Sequence, residues 1–131
     1  MDIRRRWESM LYDMTAFDFS EDGTFNKTYY IYRSPIGMGH REFELIQVVW
    51  KDFPEPGMFT VYMRSVDEKD CRFATNPGNV RATCHIMTLV VKPQKYPNGE
   101  DYVSCMFCTN IDINGLVPKW IVNIAARSAP G

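Results

Sequence analysis

The sequence lacks several of the features that would assign a function at once. No apolar run approaches the roughly 18 residues that a membrane-spanning helix needs. The N-terminal stretch MDIRRRWESMLYDM has acidic residues where the apolar core of a signal peptide would lie. The formal net charge is only −1, which gives no electrostatic reason for binding nucleic acid. We therefore expect a cytoplasmic protein without a nucleic-acid partner, and its 131 residues suit a single domain over 1–131.

Motifs for catalysis and metal binding are also missing. The sequence contains no G-x-S-x-G, P-loop or H-E-x-x-H pattern. Cys105 and Cys108 have a C-x-x-C spacing, but on a strand this spacing puts the two thiols on opposite faces. The 2 histidines, His40 and His85, have no metal-site spacing. We therefore expect no catalytic residue, no metal and no cofactor, and we expect free thiols in a reducing compartment.

What the sequence does contain is a long series of strand patterns. Alternating, aromatic or β-branched residues predict strands over 28–34, 41–52, 58–66, 79–93 and 102–112. Irregular segments separate them at 53–57, 67–78 and 94–101. The strand over 79–93 is too long to stay flat, so a bend or bulge is expected near Met87-Thr88.

Two further segments have the apolar spacing of amphipathic helices. The first covers residues 3 to 17, where one face would carry Ile3, Trp7, Met10, Leu11 and Met14. The second extends to Arg127 with Pro118 in its first turn, and its apolar face carries Val117, Trp120, Ile121 and Ile124. A helix that follows a strand so closely must lie back over the sheet. These patterns predict an α+β fold in which a curved antiparallel sheet of about five strands encloses a cavity under a C-terminal helix.

The strand over 41–52 gives the clearest assignment of faces. Glu42 and Glu44 share one face, which we assign to water, and this places Gln47 on the buried face. A buried amide needs hydrogen-bond partners. Either a core glutamine bonded to backbone or water, or a contact to the head group of a ligand, would satisfy it. The 8 Met, 8 Phe, 7 Tyr and 3 Trp suit a cavity for an apolar ligand and suit an ordinary core equally well.

The segments RSVDEKDCRFATNPGNVRATCHIMTLVVKP and DYVSCMFCTNIDINGLVPKWIVNIAARSAPG resemble the START domain family of lipid-binding and lipid-transfer proteins. The likeness covers nearly the whole chain. The matching features, in chain order, are Arg6-Trp7-Glu8, Arg41-Glu42-Phe43, Asn79-Val80-Arg81-Ala82, Asp112, Gly115, Pro118-Lys119-Trp120 and Asn123.

The resemblance implies a helix-grip fold that holds one lipid in a tunnel between the sheet and the C-terminal helix, without catalysis. The ligand would be a sterol, a fatty acid or a diacyl lipid, exchanged during transient membrane contact when the 53–57 loop and the helix move apart. The implied lining of the tunnel is Phe43, Leu45, Gln47, Val49, Met63, Cys105, Phe107, Thr109, Ile121, Ile124 and Ala125.

The chain departs from the family pattern in ways that leave alternatives open. Relative to that pattern it is truncated at both ends, as either a fragment or a compact variant would be. A monomer would leave a sheet edge and part of the tunnel open, and a homo-oligomer could cover both. Several members carry a buried arginine at the position of Gln47, which makes a tightly bound phospholipid head group a weaker expectation here. One alternative is a START-like regulatory or interaction module without a functional lipid site. Another is an enzyme on a helix-grip scaffold, which would need Asp112 and His85 within hydrogen-bond reach in a cavity.

Overall fold

The computed structural model describes residues 8–117, 119 and 123. Within them the chain forms seven strands, which are β1 (Leu11–Phe17), β2 (Phe25–Tyr32), β3 (Arg41–Lys51), β4 (Phe59–Ser65), β5 (Val80–Arg81), β6 (Thr83–Lys95) and β7 (Asp101–Asp112). A short 3₁₀ turn, Glu68–Asp70, lies in the long connection between β4 and β5. The five predicted strands are therefore present, the one predicted over 79–93 is divided into β5 and β6, and β1 is additional.

The strands form one curved antiparallel sheet in the order β1-β2-β3-β4-β6-β7. The short strand β5 lies off this path and pairs in parallel with the start of β3. Because strands adjacent in sequence are mostly adjacent in the sheet, turns suffice for most connections. β1 and β7 form the two edges of the sheet within the described residues.

The N-terminal helix predicted over 3–17 is wrong for its second half, because residues 11–17 form the strand β1. This strand pairs with β2 from Leu11 opposite Tyr32 to Phe17 opposite Lys27. Leu11 and Phe17 are both buried in that pairing. Pairing satisfies the backbone groups of β2 that would otherwise form an open edge, and this gain outweighs a local helical spacing. Residues 3–7 of the predicted helix lie outside the described residues.

The predicted closing helix falls mainly outside the described residues. Lys119 and Asn123, which are described, have helical backbone and exposed side chains. The curved antiparallel sheet of the predicted fold class is thus confirmed, whereas the helix that would make the class α+β stays a prediction.

The irregularity in the longest predicted strand lies earlier than expected. The pairing of β6 with β7 shifts register between Cys84 and Ile86, so the bulge falls at His85 and not near Met87-Thr88. Ala82, the residue before β6, donates its backbone N–H to the carbonyl of Glu42 on β3, at 2.9 Å. The chain therefore bends where it changes neighbours: β5 pairs with β3, and β6 pairs with β4 and β7.

The sheet has two differently packed faces. The cavity face is the one that carries Phe43 and Leu45, and a cluster of buried residues lies on it: Leu11, Tyr30, Phe43, Leu45, Ala82 and Cys84. The outer face carries a smaller cluster formed by Phe17, Tyr29, Ile31 and Phe73. Phe73 belongs to the connection between β4 and β5, so this connection covers part of the outer face.

The assignment of Glu42 and Glu44 to water is wrong, because their exposed fractions are 0% and 1%. Each carboxylate accepts hydrogen bonds from the connection that covers the outer face. The backbone N–H of Arg72 donates to Oε1 of Glu44 at 2.8 Å and that of Phe73 donates to Oε2 at 3.0 Å. The side chain of Asn79 donates to Oε1 of Glu42 at 2.6 Å. The irregular connection has few backbone partners of its own, and the two carboxylates supply the missing acceptors.

Glu42 makes the stability of the fold sensitive to acid. Burial alone would raise the pKa of Glu42, but hydrogen bonds from Tyr29, Asn79 and Asn76 outweigh that effect, and the pKa lies below its usual value. Because the pKa is lower in the folded chain, the stabilisation is complete above the pKa of the unfolded chain. It is lost as the pH falls through the folded-state pKa.

We expect the free energy of unfolding, measured in urea, to fall more steeply below about pH 4.3 in the wild type than in Glu42→Gln. Glu21→Gln, at an exposed position, is the matched control and should keep the wild-type slope. Equal slopes for the wild type and Glu42→Gln would contradict the assignment.

Candidate functional site

A cavity of about 860 Å³ lies against the cavity face of the sheet. Alternation directs every second side chain of each long strand toward it, so its wall is built from several strands at once. The wall is largely apolar, and typical members are Tyr30 from β2, Leu45 from β3, Val61 from β4, Leu89 from β6 and Ile111 from β7.

The structure brings together some, and not all, of the residues implied to line a tunnel. Those that line the cavity are Phe43, Leu45, Gln47, Met63 and Phe107. Those that are described but do not contribute to its wall are Val49, Cys105 and Thr109. Ile121, Ile124 and Ala125 lie outside the described residues.

Gln47 lines the cavity and has a hydrogen-bond partner in the protein. Its side-chain N–H donates to the amide oxygen of Asn26 at 3.0 Å. Asn26 is buried and donates in turn to the hydroxyl of Thr28 at 2.9 Å. The amide of Gln47 is therefore held by a side-chain network on β2.

Arg41 is a cavity residue that the sequence-based list of tunnel residues omitted. Its side chain is 6% exposed and lines one end of the cavity. Its guanidinium donates to three backbone carbonyls, at 2.6 Å to Ile113, 2.5 Å to Gly39 and 3.0 Å to Asn114. Alternation along β3 places residue 41 on the same face as residue 43, and this signal alone could have identified Arg41.

The cysteines add no metal chemistry to the part of the chain that the structure describes. All four are free, and no group of three or more His, Cys, Asp or Glu side chains within this part could hold a metal ion. Burial raises the pKa of the thiols of Cys71 and Cys84. Cys84 therefore stays neutral and contributes to the apolar wall of the cavity.

His85 and Asp112 meet, but on the surface. The ring Nε2 of His85 lies 2.7 Å from Oδ2 of Asp112, and the two side chains are 50% and 63% exposed. His85 touches a second, polar cavity of about 410 Å³, which Asp112 does not line. The distance required by the enzyme alternative is thus present, whereas the shared cavity that it also requires is not formed by the described residues.

Solved structures share this fold, although no family model and no curated protein matches the chain. Human STARD10 superposes with a TM-score of 0.73 at 17% identity, over 94% of this chain and 46% of that structure. Human StAR-related lipid transfer protein 5 gives a TM-score of 0.73 at 17% identity, over 95% and 56% of the two chains. The lipid transfer and protein localization domain of human StarD13 (DLC2) gives 0.65 at 22% identity, over 89% and 55%.

These similarities confirm the resemblance to START domains at the level of the fold. The chain spans about half the length of the structures that it matches. Within the described residues, no helix has both the length and the apolar character needed to cross a membrane.

Proposed function

We propose that this chain binds one lipid molecule in the cavity and transfers it between membranes without catalysing a reaction. The observation that carries the proposal is the cavity itself, whose wall is formed mainly by aliphatic, aromatic and methionine side chains. Its volume of about 860 Å³ falls within the range of small-molecule sites. The fold of known lipid transfer domains supports the same conclusion.

The proposed tunnel is completed by the segment after Pro118. A helix there would bring Ile121, Ile124 and Ala125 over the cavity, and Val49, Cys105 and Thr109 would then complete the lining around its rim. We place the exchange of lipid at a cytoplasmic membrane surface.

The 53–57 loop is the proposed point of membrane contact, because exposed aromatic side chains lie within it and on either side of it. Trp50, Phe53 and Phe59 are 43%, 53% and 42% exposed. Aromatic side chains of this kind settle readily at the interface between lipid and water.

Native mass spectrometry of the purified chain, followed by organic extraction, tests the proposal. We expect a mass increment of one lipid per chain, and the extract identifies its chemical class. A folded chain that carries no lipid, and takes up none when incubated with vesicles of mixed lipids, would contradict the proposal.

A second candidate function is an interaction module whose lipid site has been lost. The observation in its favour is the outer edge of β7, which pairs with no other strand among the described residues. Val103, Met106 and Phe107 on this strand are 57%, 64% and 59% exposed. A strand that is both unpaired and apolar is a ready site for another strand. An empty dimer in the same mass spectra would favour this candidate, and we propose a homo-oligomer on the same ground.

A further inference from the structure

Arg41 carries a buried positive charge that no carboxylate neutralises within the described residues. Its three partners are neutral backbone carbonyls, and none of the ion pairs formed by this part of the chain includes it. A guanidinium has five N–H groups, so three such bonds leave two donors unused. A charge removed from water is costly unless an opposite charge compensates it.

The carbonyls fix Arg41 firmly at one end of the cavity. They come from two separate segments, the loop before β3 and the chain after β7, so the guanidinium is held from both sides. Gly115 lies directly behind it, since a Cβ at this glycine would stand 3.4 Å from Nη2 of Arg41. A charged group held in this way is preorganised, and a ligand that meets it loses little ordering entropy.

The charge of Arg41 makes the cavity amphipathic. Glu8 and Arg33 also line the cavity, while the wall formed by β4, β6 and β7 has no charged side chain. The guanidinium of Arg33 lies 5.5 Å from the centre of the Tyr12 ring, which already provides it with a cation–π contact. Arg41 is therefore the group best suited to receive an anion from within the cavity.

We propose that the cavity selects lipids with an acidic head group, a carboxylate or a phosphate, and that the two unused N–H donors of Arg41 bind its oxygens. This inference rests on the proposed lipid-binding function. An acidic head group supplies an opposite charge for Arg41, which has no ion-pair partner among the described residues, and charge-assisted hydrogen bonds are stronger than neutral ones. A sterol or a diacylglycerol offers only a hydroxyl and leaves the charge uncompensated. A fatty acid and a phosphatidic acid share the required chemistry.

Pairs of ligands with identical tails test the proposal. The delipidated chain is titrated with oleic acid and oleyl alcohol, and separately with dioleoyl phosphatidic acid and dioleoylglycerol, by displacement of a fluorescent lipid. We expect the acidic member of at least one pair to bind about 10–100-fold more tightly than its neutral partner. The pair that shows this preference distinguishes a fatty acid from a phospholipid.

Variants at two arginines assign the preference to a residue. Arg41→Gln is expected to remove it, lowering affinity for the acid to that for the alcohol. Arg64→Gln makes the same change at an exposed position of β4 that does not line this cavity, and it is expected to retain the preference. Circular dichroism and urea unfolding verify the fold of both variants. If Arg41→Gln does not fold, the ligand pairs measured with the wild type still decide whether the cavity prefers an acidic head group.

Equal affinities within both pairs in the wild type would overturn the assignment of an acidic head group and leave lipid binding intact. A chain that binds none of the four ligands would overturn lipid binding as well. A preference for the acid that persists in a folded Arg41→Gln variant would overturn the role of Arg41.

Discussion

Replacing Glu44 by glutamine is expected to lower the free energy of unfolding by about 2–4 kcal/mol, although the side chain keeps its shape. Both carboxylate oxygens accept a backbone N–H, from Arg72 and from Phe73. An amide has only one oxygen, so its NH₂ group must face one of these donors. The neighbouring Arg81 also loses its charge partner, since its Nη1 lies 3.9 Å from Glu44 and has no hydrogen bond.

Urea unfolding followed by circular dichroism measures the effect. Glu21→Gln makes the same chemical change at an exposed position and is expected to alter the unfolding free energy by less than about 0.5 kcal/mol. A Glu44→Gln variant as stable as this control would show that the carboxylate does not hold the connection between β4 and β5.

Replacing Leu89 by tryptophan is expected to weaken lipid binding by about 10–100-fold while the chain stays folded. Leu89 lines the cavity, is only partly buried, and lies outside the buried cluster of the cavity face. The larger indole ring can therefore extend into the cavity without displacing the core. It would occupy volume that the lipid tail needs. Displacement of a fluorescent lipid measures the change in affinity.

The neighbouring position provides the control for this variant. Val90 lies within β6 and is partly buried like Leu89, but alternation places it on the outer face of the sheet. Val90→Trp introduces the same ring with no access to the cavity, so its affinity for lipid is expected to match the wild type. If the two variants bound lipid equally well, the cavity would not be the binding site.

The sheet was predictable from sequence where one face packs on apolar neighbours. Along β3, Phe43 and Leu45 alternate with charged residues, and a period of two residues has no helical interpretation. The segment of β1 was not predictable in this way. The apolar residues Met10, Leu11 and Met14 fit a helical stripe, and only the long-range pairing with β2 decides for a strand.

The cavity was predictable in part for the same reason. Alternation correctly identifies the face of Phe43 and Gln47, but it assigns the charged residues by their usual preference for water. That rule fails at Glu42 and Glu44, because an irregular connection folds over them and its backbone N–H groups need acceptors. Alternation places Arg41 on the cavity face, but it does not predict that the carbonyls of Ile113 and Asn114, far away in sequence, hold its guanidinium. Tertiary hydrogen bonds of this kind leave no local pattern.

The placement of the buried carboxylates on the outer face has a consequence for how such a protein can diversify. Glu42 and Glu44 anchor the connection that covers one side of the sheet, whereas the wall of the cavity is formed by side chains of the opposite side. Substitutions in the wall can then change which ligand fits, while the anchored side continues to stabilise the fold. Wall positions outside the buried cluster, such as Leu89, can therefore vary in evolution without disturbing the hydrogen bonds that anchor the outer face.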